Sequence, residues 1–181
     1  MFNQKIIEIM KISKKIEEVL NKQVNAELWS AYMYLSMSAW AENKGFKGFA
    51  NWMRVQALEE LTHADRFASY VFDRGARVTL EAVDKPEAAW KTPLEVFEHV
   101  LRHERKVTSL IGALVDLAAK EKDHATSAML QWFVTEQVEE ETTAEEIVAQ
   151  LGMVRDSSHG LLMLDRELGT RVFVPPAPSK G

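Results

Sequence analysis

Long stretches without helix-breaking residues constrain this fold more than any other feature of the sequence. Of the 5 prolines, three lie in the C-terminal tail and the others are Pro86 and Pro93, and most of the 8 glycines mark the ends of the stretches. Between these breaks strong helix formers dominate, and apolar residues recur at intervals of three and four. The pattern predicts a first helix from Ser13 to Glu42, with Ser13 as N-cap, and a second from Phe46 to Arg74, stopped by Gly75. A third starts at Thr92-Pro93, with Thr92 as N-cap, Pro93 in the first helical position and Glu95 in the first turn, and runs to Lys120. The fourth spans His124 to Leu151, ended by Gly152, and a short fifth spans Ser158 to Leu168. Residues 1–171 are expected to form one domain, and the tail over 172–181 to be disordered.

The connections are short, long, short. A linker of roughly 17 residues without helical period separates the two pairs, and that length suffices to cross a bundle of helices about 40 Å long. The expected architecture is all-α: an up-down pair, a crossover, a second pair, and a short C-terminal helix.

Composition removes several classes of function. No cysteine occurs, which excludes disulfides, thiolate zinc sites, iron–sulfur clusters and a cysteine nucleophile. The net charge is -5 and no basic block is present, so nucleic acid is not expected as a partner. Charges interrupt every apolar run, including those at the N-terminus. Neither a signal peptide nor a membrane span of roughly 18 apolar residues is expected, and a cytoplasmic location is.

Carboxylates interrupt the apolar stripes. The first helix carries Ile16, Leu20, Glu27, Ala31 and Tyr34 on one face; the second carries Trp52, Gln56, Glu60, His63, Phe67 and Tyr70. The third has Phe97, Leu101, Glu104, Thr108, Ile111 and Val115; the fourth has Phe133, Gln137, Glu140, Ala144, Ile147 and Leu151. Glu60 and His63 stand three apart and point the same way. One buried carboxylate is compatible with a local ion pair. Four, one near the middle of each helix, are harder to explain that way, because each ionised carboxylate taken from water costs several kcal/mol and no lysine or arginine shares the stripes. Two divalent cations would neutralise Glu27, Glu60, Glu104 and Glu140, with His63 and Gln137 as neutral neighbours. Oxygen ligands with one imidazole suit iron or manganese. Tyr34, on the face of Glu27, is a candidate electron or proton relay. Taken singly, a helix-face histidine, an EExxH string or a Glu-rich run is more often structural than functional; the signal is that all the parts fall in phase.

The combined motifs resemble those of prokaryotic non-haem ferritins. The first helix carries Asn25, Glu27, Leu28, Ser30 and Tyr34 in an NxELxSxxxY pattern, and the second Glu59-Glu60-Leu61-Thr62-His63. The third carries His103-Glu104, and the fourth runs from Trp132 through Glu136-Gln137-Val138-Glu139-Glu140-Glu141. Ferritin-like di-iron bundles are a recognised class of four-helix protein. The resemblance implies one iron on Glu27, Glu60 and His63, and a second on Glu60, Glu104 and Glu140 with Gln137 adjacent. It implies a third site from Glu59, Glu136, Glu139 and Glu140, and a redox role for Tyr34 beside Trp132. It further implies ferroxidase activity, with Fe2+ and O2 or H2O2 as substrates, and ferric oxyhydroxide stored in a homo-oligomeric cage of about 24 subunits. Haem is not expected, because Leu61 stands where bacterioferritins place their haem-ligating methionine, and Gln137 and Glu140 where they place a second Glu-x-x-His. Two other readings stay open: a di-metal oxidase acting on an organic substrate, and a structural module whose carboxylates serve salt bridges.

Overall fold

The computed structural model describes residues 12–175 and contains, among them, five helices and no strand. The expectations about the N-terminal residues before 12, and about the tail beyond 175, lie outside the described residues. Helix α1 spans Lys14–Lys44, α2 Lys47–Asp73, α3 Pro93–Lys120, α4 His124–Met153 and α5 Ser158–Leu168. Helices α1 and α2 pack along their length, as do α3 and α4, and α5 docks on α2. No described helix is long and apolar enough to cross a membrane.

The caps form where the sequence places them. Ser13 Oγ accepts from the Ile16 amide at 3.2 Å, and Thr92 Oγ1 from Glu95 at 3.2 Å with Pro93 in the first turn. Gly45 ends α1 in the left-handed region, φ 84°, which only glycine enters without steric cost. Gly152 does not stop α4, which continues to Met153. Nothing lies within 4 Å of a side chain added at Gly152, so packing gives the helix no reason to stop, and one helical glycine costs only about 1 kcal/mol. Ser157 then caps α5 through the Gly160 amide.

The crossover over 76–91 has no regular secondary structure, yet it is tied to α1. Asn21 donates to the Arg77 carbonyl at 2.9 Å and accepts from the Thr79 amide at 2.6 Å. One turn on, Asn25 donates to the Thr79 carbonyl and accepts from the Glu81 amide. Farther along, Ser36 donates to Glu87 and the Trp40 indole to the Trp90 carbonyl. Side chains spaced along one helix thus satisfy backbone groups that an extended segment cannot pair with itself.

The core divides in two. One apolar cluster gathers around Met37, Trp52, Met53 and Phe97, the other around Leu20, Phe67, Ile111 and Phe133. Glu27, Glu60, His63, Glu104, Gln137 and Glu140 are all buried. The stripes expected on α1 and α4 are buried throughout, and that on α2 up to the half-buried Tyr70. On α3 the face is rotated: Val100, Val107 and Leu114 are buried, while Leu101, Thr108 and Val115 lie at its edge.

Helix α5 closes one end of the bundle. Asp165, buried, accepts from the Gly48 and Phe49 amides at 2.9 and 3.0 Å and so caps the first turn of α2. A Cβ at Gly48 would lie 1.5 Å from the Asp165 carbonyl oxygen. Gly48→Ala is therefore expected to lower the melting temperature by several degrees, for a loss of about 1–3 kcal/mol. Gly112→Ala, in open helical surface, should stabilise slightly or leave Tm unchanged. Calorimetry on both variants checks this; an unchanged Tm for Gly48→Ala would contradict the close approach of α5.

Candidate metal centre

Each long helix contributes one buried carboxylate, and the environment of each is specific. Glu27 on α1 accepts from the buried Gln23 amide at 2.8 Å, one turn earlier. Glu60 on α2 has Oε2 3.4 Å from Nδ1 of His63. Glu104 on α3 accepts from the Tyr34 hydroxyl and, at 3.3 Å, from Gln137. Glu140 on α4 accepts from the Gln56 amide at 2.8 Å. Glu27, Glu60 and His63 each offer a ligand atom within 4.8 Å of the others, and this is the one such trio among the described residues. Glu104 and Glu140 stand outside that trio but are coupled to it electrostatically.

Burial and mutual repulsion hold these carboxyls protonated far above the ordinary range. Glu27 is raised well above it, first by burial and then by Glu60. Glu60 is raised by burial and then by Glu104 and Glu140. Glu104 and Glu140 are each pushed up to about 7, again chiefly by burial, against the hydrogen bonds from Tyr34 and Gln137 to one and from Gln56 to the other. The Tyr34 hydroxyl is raised well above 10 by burial and by Glu104. None of the four glutamates forms an ion pair with a described lysine or arginine. Every buried side-chain nitrogen and oxygen described has a hydrogen-bond partner. The cluster lacks positive charge, not hydrogen bonds, and its oxygen-rich donor set with one imidazole fits hard or borderline divalent cations such as iron.

The residues expected at a third site are less closely gathered. Glu136 Oε1 lies 3.9 Å from Nε2 of His63, whereas Glu139 is exposed. Glu59 is paired with Arg171, from the segment after α5. Its carboxyl is raised by burial, which outweighs the opposing effect of Arg171. Sequence reasoning missed Arg171, Gln23 and the donor role of Gln56. The two glutamines had a signal: amides one turn from a buried glutamate, on the same helix or facing it. Arg171 had none, since it lies outside every stripe.

His103, within the His103-Glu104 motif, bonds Ser30 at 2.7 Å, and burial lowers its pKa to about 4, so the ring is neutral near pH 7. It ties α3 to α1. Trp132 packs edge-on to His63 at 5.5 Å and has Arg66 4.0 Å above its ring, which places it beside the histidine and not beside Tyr34.

A pH dependence follows. A carboxyl whose folded pKa is raised above its unfolded value favours the fold fully below the unfolded value, 4.5, and that contribution is lost as pH rises through about 7. The metal-free protein should therefore lose Tm from these groups between about pH 5 and 8, and Zn2+ should restore it increasingly toward the alkaline end. Calorimetry with and without Zn2+ tests this. A Zn2+ gain that does not grow with pH would contradict the assignment of these carboxyls as proton holders that a cation displaces.

A family model described as a ferritin-like domain matches residues 17–154. A bacterial non-heme ferritin of Bacteroides fragilis is 48% identical over 160 residues, covering 88% of this chain and 99% of the relative. One from Staphylococcus aureus is 38% identical over 162 residues, covering 90% and 98%. Among solved structures, an open pore ferritin from the archaeon Archaeoglobus fulgidus superposes with a TM-score of 0.89 at 50% identity, over 90% of this chain and 99% of that one. A closed form engineered from the same archaeal ferritin gives a TM-score of 0.90 at 51% identity, over 91% and 100%. The chain belongs to the ferritin family.

Proposed function

We propose that this chain is an iron-storage subunit that oxidises Fe2+ with O2 at the buried carboxylate centre and self-assembles into a hollow 24-subunit cage holding ferric oxyhydroxide in the cytoplasm. The observation that carries the reading is the set of four buried glutamates, one per long helix, with raised pKa values and no ion pair to a lysine or arginine among the described residues.

Iron is the substrate. Glu27, Glu60 and His63 would hold one Fe2+; Glu60, Glu104 and Glu140 a second, with Gln137 beside it and Glu60 shared. Two Fe2+ give one electron each to O2, which takes up two protons and leaves as H2O2, and the higher charge of the Fe3+ product suits a carboxylate-rich site. This chain's residues do four things. The glutamates give up protons as cations enter, which couples binding to pH. Gln23 and Gln56 fix the orientation of Glu27 and Glu140 through single donated hydrogen bonds. The apolar clusters on either side keep bulk water from the carboxylates. Tyr34, its hydroxyl bonded to Glu104, would pass a proton or electron to that carboxylate's neighbourhood. Glu59, Glu136, Glu139 and Glu140 would form a third, more open site on the route toward the solvent.

Stopped-flow oxidation of Fe2+ by the apoprotein tests the reading, with particle size followed by light scattering. Fast oxidation with stoichiometric breaks at about two or three irons per chain is expected on a large assembly. Glu60→Ala should abolish the fast phase and leave the assembly intact; retained fast oxidation would remove Glu60 from the mechanism. Tyr34→Phe should slow oxidation by about tenfold or more while Zn2+ binding stays unchanged. Equal rates would make the tyrosine structural.

A further inference from the structure

The cation balancing Glu59 is built into the chain. Arg171 lies just beyond α5, in a segment that folds back over α2. Its carbonyl accepts from the Asn51 amide at 2.9 Å, and the same amide reaches the Gly169 carbonyl at 3.4 Å. Its guanidinium sits 4.5 Å above the Trp52 ring. One guanidinium nitrogen donates to Glu59; the other donates to Gln56 Oε1 at 2.7 Å. The Gln56 amide in turn donates to Glu140 at 2.8 Å. The pair is about three-quarters buried, with Arg171 25% and Glu59 26% exposed, so it marks the boundary between the closed centre and solvent.

We propose that Arg171 is an internal counter-cation at the mouth of the carboxylate centre, and that a third divalent cation binds Glu59 only by displacing it. The proposal rests on the reading of the centre as a divalent-cation site. The fork of a guanidinium satisfies two acceptors at once, and a dication on Glu59 would meet both a competitor for the same oxygen and a positive charge beside it. Arg171 also sets the direction of the Gln56 amide. With Oε1 turned to the guanidinium, the NH2 must face Glu140, where it opposes a cation by donating and cannot ligate one. Arg171 is thus a positioning residue. It leaves the inner trio of Glu27, Glu60 and His63 untouched, weakens the outer carboxylates as a cation site, and links their loading to release of the segment that follows α5.

The test is calorimetric titration of the assembled apoprotein with Zn2+, which binds without oxidation. Wild type should take up about two cations per chain tightly and a third weakly, and Arg171→Gln should tighten the third by at least about tenfold with the cation on Glu27, Glu60 and His63 unchanged. Arg171→Gln combined with Glu59→Gln should lose that third cation, which ties the effect to this pair. Asn51→Ala, which loosens the segment without altering a carboxylate, should shift the third affinity in the same direction and decides the matter if Arg171→Gln does not assemble. A third-site affinity within about twofold of wild type in both variants, with two tight cations retained, overturns the role of Arg171 and leaves the proposed function standing. Failure of wild type to bind the first two cations would overturn both.

Discussion

Four carboxylates share one layer between the two apolar clusters of the core, and the rest of the structure is arranged around that constraint. Each would cost several kcal/mol to bury ionised, and together they repel. The molecule meets the cost in two ways. It confines them to one layer, with Phe97 and Trp52 on one side and Phe67 and Phe133 on the other. It also provides three of them with donors, Gln23 for Glu27, Tyr34 and Gln137 for Glu104, and Gln56 for Glu140, while Glu60 has the His63 ring 3.4 Å away. Protons complete the balance near neutral pH, and in the proposed function a cation takes their place.

Such a layer needs four helices held in register, because a shift by one residue would turn a glutamate out of it. Tyr34 and the Ser30–His103 bond tie α1 to α3, which otherwise belong to different pairs. The crossover keeps the pairs together from outside. Asn21 and Asn25, one turn apart on α1, bond alternate residues of the extended segment and hold it along the helix. Asn25 and Glu27 stand only two apart in the sequence, yet one clamps the connection and the other faces the centre. A helix separates their directions by about 200°.

The end of the bundle bears on the same centre. Asp165 caps α2 and brings α5 against Gly48, where no larger residue fits. The chain leaving α5 then delivers Arg171 to Glu59 and Gln56. The docking of a short terminal helix thus changes the electrostatics of a site built on other helices.

The sequence by itself determined the helices, their order, the long crossover and the four inward carboxylates, because each depends on local features: caps, glycines, prolines and a period of three to four residues. Asn25, Ser30 and His103 were legible as motif letters, but not in what they touch. Only the tertiary structure decided the rotation of the buried face of α3, the passage of α4 through Gly152, the clamping of the crossover, and the pairing of Glu59 with Arg171. These depend on contacts between residues far apart in the chain, Arg171 and Glu59 being separated by 112 positions. No periodicity carries that information, because the approach of two distant segments is set by how whole helices pack and not by the pattern within either one.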